Sequence, residues 1–269
     1  MSAWLCGTRQ SGCAVSDLYW LVPAFFATAL CYAAAGFGGG STYLALLALT
    51  GLAVGELRFT ALLCNLIVTA GTCWLAWRSD LLRWRLLLPL VAASVPLAFV
   101  GGTIELARDP FLAVLALVLL LAGGLMWWRS FQMGVAAGAE QTDEGRQSMG
   151  WKGAGLLGGS LGLGSGILGI GGGILLSPFL FLRSTLSARE VAATTACFIF
   201  LNSLSGLAGQ WLSGGRPPWP LAAYLLAAVL LGGIIGSRLA LRRLPAITLR
   251  RLAATLILLV AIRILLTIW

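Results

Sequence analysis

Apolar residues in this chain come in long runs separated by short polar breaks, without the alternation of a half-buried strand or the one-sided stripe of a soluble helix. The runs fall at about 18–36, 39–54, 59–77, 86–104 and 111–128, and again at about 152–168, 171–182, 190–211, 219–240 and 250–268. A helix needs about 20 mostly apolar residues to cross the hydrocarbon of a bilayer. Lipid offers the backbone no hydrogen bonds, so such runs are read as helices. The pattern predicts an all-α integral membrane protein of about 8–10 transmembrane or re-entrant helices. Its one real linker is the polar stretch 129–150, with Glu140, Asp143, Glu144 and Arg146. This gives a first repeat over residues 1–128, a cytoplasmic linker over 129–150 and a second repeat over 151–269.

The two halves resemble one another. Gly38-Gly39-Gly40 corresponds to Gly171-Gly172-Gly173, Glu56 and Thr60 to Glu190 and Thr194, and Phe99-Val100-Gly101-Gly102 to Ile234-Ile235-Gly236-Ser237. A near-constant offset over that distance marks an internal repeat of about five segments. An odd number of crossings per repeat inverts one half relative to the other. Basic residues test this independently. With loops assigned to alternating sides, one side collects most of them, among them Arg78, Arg83, Arg85, Arg129, Arg146, Lys152, Arg183, Arg189 and Arg238, while the other holds Arg9, Arg58, Arg108 and Arg216. The rich side is therefore cytoplasmic and both termini are periplasmic or external.

Composition agrees. The chain has 269 residues, 59% hydrophobic and 10% charged, where a soluble domain carries roughly 25% charge. The net charge of +9 is scattered between apolar runs, which points to topology and anionic lipid and away from nucleic acid. Trp20, Trp74, Trp77, Trp127, Trp128, Trp151, Trp219 and Trp269 sit near run ends, as in an aromatic belt. Cys31, Cys64, Cys73 and Cys197 lie inside runs and read as small buried hydrophobes; Cys6 and Cys13 could form a disulfide if their end is external. The chain has no histidine, which removes His-ligated metal, haem and histidine proton relays. No cofactor is expected.

The glycine clusters carry the chemistry. Glycine lets the backbone unwind, and a helix that starts after such a break points its positive dipole end at it. Gly38, Gly39 and Gly40 with Ser41 and Thr42, and Gly171, Gly172 and Gly173 with Ser165, Ser177 and Pro178, are candidate anion-binding residues. They lie in short, glycine-interrupted segments at matching places in both halves, the pattern that marks a transporter substrate site. The competing reading is close helix packing, because Gly155 and Gly159, Gly158 and Gly162, Gly162 and Gly166, and Gly169 and Gly173 also have small-xxx-small spacing. Gly164-Ser165-Gly166-Ile167-Leu168-Gly169 matches a dinucleotide fingerprint, but without the strand such a motif follows.

Asn65, Thr69 and Thr72 share one helical face, as do Thr195, Asn202 and Gly206. Polar stripes in membrane helices face protein or water, so these are either interhelical hydrogen bonds or substrate ligands, with Asn65, Thr195 and Asn202 the candidates. Glu56 and Glu190, beside Arg58 and Arg189, read as helix-start charges in loop ion pairs, or as coupling or gating carboxylates. The deep interior otherwise lacks acids, which argues against a cation site.

Gly36-Phe37-Gly38-Gly39-Gly40 and Gly169-Ile170-Gly171-Gly172-Gly173-Ile174-Leu175-Leu176-Ser177-Pro178 resemble the signature of the sulfite exporter TauE/SafE family, also called the toluene sulfonate uptake permease family. The resemblance extends over about residues 18–268, and the first half departs from it in having Leu44 or Ala45 where the second has Pro178. It implies a multi-pass transporter of the bacterial inner membrane that moves sulfite, a sulfonate or a related sulfur anion.

The expectation is a secondary transporter, not an enzyme, that exports a small anionic sulfur substrate by alternating access. Glu56 or Glu190 is the candidate for proton coupling. The alternatives are an uptake permease or channel for another small anion or sulfur compound and, outside transport, an intramembrane enzyme, for which no nucleophile–base pair or metal site is evident. Monomer and homodimer both stay open.

Overall fold

The computed structural model describes residues 10–35, 38–135, 150–183, 186–219 and 221–239, together with 255, 258, 261, 262 and 264–266. The elements are helices: α1 (Gln10–Ala35), α2 (Gly40–Ala48), α3 (Val54–Arg78), α4 (Trp84–Thr103), α5 (Arg108–Val135), α6 (Trp151–Leu168), α7 (Gly173–Arg183), α8 (Ala188–Leu212) and α9 (Leu221–Leu239). The run expected at 250–268 lies largely outside the described residues, and its described positions are helical. Most of the expected linker, Cys6 and Trp269 also lie outside them.

Five helices among the described residues are long and apolar enough to cross a membrane: Val54–Arg78, Trp84–Thr103, Arg108–Leu125, Arg189–Leu212 and Leu221–Arg238. Their outward faces carry large apolar side chains such as Leu75, Leu88, Leu121 and Leu231. In water that surface would be costly; in lipid it is the expected one. Trp20, Trp74, Trp77, Trp127, Trp151 and Trp219 are all well exposed, as a headgroup belt requires. The protein is an all-α integral membrane protein.

Two boundaries differ from the sequence reading. α1 begins at Gln10, ahead of its apolar run. α2 ends at Ala48 although the apolar run continues to 54, because the Thr50 hydroxyl donates to the Leu47 carbonyl (2.6 Å) and closes the last turn. At 1.5 Å per residue, α2 and α7 are roughly 14 and 17 Å long, too short to cross a core of about 30 Å.

α4 packs along α6, α1 along α9, and both α3 and α4 pack on α8. Exchanging α1 with α6, α3 with α8 and α4 with α9 converts the first pair into the second and leaves the α3–α8 contact in place. The glycine stripe of α6 is a packing surface. A β-carbon on Gly158, Gly162 or Gly166 would run into the carbonyls of Leu90, Ser94 and Ala98 on α4. Gly232 and Gly236 of α9 meet the carbonyls of Phe26 and Leu30 in the same way. For α6 the small-xxx-small reading was therefore the right one. The glycine clusters ahead of α2 and α7 behave differently.

Candidate functional site at the two helix breaks

α6 ends at Gly169, whose left-handed backbone (φ +76°) sends its N–H back to the Ser165 carbonyl at 2.8 Å. Gly171 (φ +80°) and Gly172 (φ +75°) stay in that region before α7 begins. Residues with a β-carbon pay for such backbone angles and glycine does not. The first break is built otherwise: Gly39 caps α2 at φ −94°. In both, the first three N–H groups of the new helix precede its first ladder bond, Tyr43 N–H to Gly39 in α2 and Leu176 N–H to Gly172 in α7. These groups, at Gly40–Thr42 and at residues 173–175, have no partner within their own helix.

The two breaks meet. Asn65 on α3 donates from its side-chain amide to the carbonyl of Ile170 (3.1 Å), in the second break. A β-carbon on Gly40 would collide with the same Asn65 amide and lie 2.6 Å from the Ile170 carbonyl oxygen. Gly38 faces Asn65, Thr69 and Ile199; Gly171 faces Asn65, Ser203 and Ile199. The offset of 134 that relates Glu56 to Glu190 also relates Asn65 to Ile199 and Thr69 to Ser203, so these two sets of neighbours interchange with the halves. Gly173 meets Ile199 where Gly40 meets Asn65. The half-sites are thus equivalent in place and unequal in chemistry: an amide in one, a branched alkyl group in the other.

The predicted residues divide accordingly. Asn65 and Thr69 are fully buried, and the Thr69 hydroxyl donates to the Asn65 carbonyl (2.6 Å). Asn65 gives one of its two amide hydrogens to Ile170 and presents an unpartnered Oδ1, so it ties the break in place and keeps one N–H in hand. Thr42 is engaged with the Tyr32 hydroxyl (2.9 Å). Ser41 is buried with an unpartnered hydroxyl, and so is Thr195, which lies against Gly173. Asn202 is not a counterpart of Asn65. That place belongs to Ile199, and Asn202 sends its amide to Phe198 of its own helix (2.9 Å). Ser177 and Pro178 lie in α7, a turn beyond the break; Ser165 is bonded to the Gly162 carbonyl (3.0 Å). Sequence reasoning missed Ser203, whose buried hydroxyl has no partner and faces Gly171. Its offset from Thr69 was the available signal. A cavity of about 70 Å³ bordered by Ser41, Ser165, Ile170 and Gly172 adjoins both breaks. That is room for a few water-sized groups.

The two acids stand at helix starts as expected, but neither pairs with the arginine beside it in sequence. Glu56 accepts the Ala53 N–H (3.0 Å) and Glu190 the Ser187 N–H (2.8 Å), each at the start of a core helix. A carboxylate there satisfies orphan donors and complements the helix dipole. Glu190 pairs with Arg83 (2.6 Å) and not with Arg189. Arg58, expected in a loop, is 2% exposed. It donates to the carbonyls of Ile104 (2.8 Å), Gly101 (3.1 Å), Gly102 (3.2 Å) and Gly166 (2.8 Å). Four carbonyls give a guanidinium the hydrogen bonds that burial would otherwise deny it. The Cys73 and Cys197 thiols, expected only as buried hydrophobes, stand 2.7 Å apart between α3 and α8.

At the breaks themselves the identified side chains are neutral. Two helix starts and the hydroxyls of Ser41, Thr195 and Ser203 offer hydrogen-bond donors without a fixed positive charge, a set suited to holding a small anion and releasing it.

Comparisons with known proteins agree on the family. The family model described as "Sulfite exporter TauE/SafE" matches residues 21–264. The chain is 31% identical over 248 residues to "Probable membrane transporter protein y4hK" of Sinorhizobium fredii (strain NBRC 101917 / NGR234), an alignment that covers 91% of this chain and 97% of that protein. No solved structure matches the chain.

Proposed function

The chain belongs to the sulfite exporter TauE/SafE family and is a membrane transporter; we propose that its cargo is a small sulfur oxyanion, sulfite or a small organosulfonate, exported by alternating access. The observation that carries this reading is the meeting of the two glycine breaks over Asn65. Neutral donors from α2, α7, Thr195 and Ser203 would hold the anion, and Asn65 would fix the second break in place. The halves would then rock about α3 and α8, whose contact is the one that interchange of the halves leaves unmoved. In this reading the arginine-rich ends face the cytoplasm of a bacterial cell with the linker, and both termini lie outside its inner membrane.

For proton coupling the candidates are Glu56 and Glu190. Each caps a core helix, and by the repeat symmetry they belong to opposite faces of the membrane. Protonation of either would free a helix start, a local event that a rocking motion could use.

The test is flux in proteoliposomes loaded in turn with sulfite, methanesulfonate, sulfate and chloride. Sulfite or methanesulfonate should move fastest, with flux that responds to an imposed pH gradient in wild type and not in the Glu56→Gln/Glu190→Gln double variant. Flux of chloride with none of sulfite or sulfonate would overturn the substrate assignment.

A further inference from the structure

A second cavity, of about 350 Å³, opens at the membrane face where α3 starts and α4 and α8 end. Among its walls are Arg58, Glu105, Arg108, Gln210 and Ser213. We propose that it is a vestibular binding site for a small oxyanion, separate from the breaks, held by Arg58 and the Gln210 amide. This rests on the anion-transporter reading above and adds to it a place where the anion pauses at one face.

Two observations carry it independently. Gln210 is 3% exposed and neither its Nε2 nor its Oε1 has a hydrogen-bond partner. A buried amide with both ends unpaired is costly, and a polar ligand in the cavity that it lines would remove that cost. Arg58 is equally buried; backbone carbonyls hold its terminal nitrogens, Glu105 is the acid that acts on its charge, and its Nε is unpartnered. Of the charged groups that line the cavity, Arg108 is tied through its two terminal nitrogens to Leu52 (3.0 Å) and Thr50 (3.1 Å), and Glu105 is solvent-exposed. The cavity therefore carries two guanidinium charges against one carboxylate, and its buried charge is positive. Guanidinium and amide donors converging on a small space are the groups that recognise an oxyanion.

The place also fits. Arg58 bonds Gly166 of α6, and Gly169, which opens the second break, lies against the Arg58 backbone. Asn65 is two turns further along the same helix, about 10 Å away. Arg58 thus stands between the vestibule and the breaks.

Gln210→Leu tests the site without removing the buried charge. Sulfite, methanesulfonate and inorganic phosphate would be presented in turn to each face of the membrane, using right-side-out and inside-out vesicles, and the melting temperature read in parallel without anion. The expected result is a KM about tenfold higher on the Arg58 face, an unchanged KM on the other face, and a melting temperature equal to or above that of wild type. Equal KM values for wild type and variant on both faces overturn the vestibular site, and sulfite flux in the same vesicles leaves the sulfur reading standing. A one-sided KM effect on phosphate with no sulfite flux supports the vestibule and sinks the sulfur reading. A KM rise on both faces would assign Gln210 to the central path and overturn a separate site.

Discussion

Asn65, in the first half of the chain, holds the carbonyl of Ile170, in the second, at 3.1 Å across 105 residues of sequence. This bond joins the two helix breaks, and it has no mirror image, because Ile199 stands where a second asparagine would complete the symmetry. Leu in place of Asn65 leaves the Ile170 carbonyl buried and unpaired, at a cost of about 1–3 kcal/mol. Asn65→Leu is expected to melt several degrees below wild type and to lose most anion flux. Ile199→Asn should keep its stability better than Asn65→Leu does. Melting curves of the two variants in one detergent check both statements.

Glycines of the two kinds should respond differently to alanine. Gly40→Ala drives a methyl group into the Asn65 amide and the Ile170 carbonyl, and Gly171→Ala adds a backbone strain at φ +80°. Both should abolish flux. Gly162→Ala should lower stability by separating α6 from α4, while any folded protein transports with unchanged anion selectivity. Gly124→Ala, where a β-carbon meets nothing within 4 Å, should match wild type. Expression, melting temperature and flux measured across this set distinguish the break from the packing stripe.

The thiols of Cys73 and Cys197 report on motion. They lie 2.7 Å apart, one on each central helix, so mild oxidation to a disulfide would fasten α3 to α8. If α3 and α8 shift relative to one another during transport, copper-phenanthroline should stop flux, a thiol reductant should restore it, and Cys197→Ser should be insensitive. Full flux with the cross-link formed, read by mass spectrometry, would show that the pair does not move.

The Arg83–Glu190 ion pair is expected to matter little to stability. Arg83 is 62% exposed, and pairs of that kind contribute about 0–1 kcal/mol. Arg83→Gln should leave the melting temperature within a few degrees of wild type. Ser187→Ala, which removes the hydroxyl that accepts the Glu190 N–H, should cost about 1 kcal/mol.

Much of this was legible in the chain. Runs of apolar residues fix the helices, because lipid leaves the backbone no other partner, and the repeat offset brings Gly38–Gly40 and Gly171–Gly173 to matching places. The register of the repeat adds what helical faces alone do not: the offset of 134 sets Ile199, not Asn202, at the place matching Asn65, and points to Ser203, whose hydroxyl has no partner. Arg58 looked like a loop charge because arginine is rarely buried. Only the carbonyls of Gly101, Gly102, Ile104 and Gly166, from two other helices, make its burial tolerable, and no local pattern announces them. Glu56 and Glu190 take the helix-start places their positions indicated; what spacing did not show is that Glu190 pairs with Arg83 and not with the adjacent Arg189.

A small sulfur oxyanion held at the meeting of the two breaks should stabilise the fold there. The most direct test of this site is the shift in melting temperature that sulfite produces in the purified protein, compared with a Thr195→Val/Ser203→Ala variant. Sulfite, and not chloride, should raise the melting temperature of wild type, and the variant should fold but lose most of that rise. A variant stabilised by sulfite as strongly as wild type would contradict binding at the breaks.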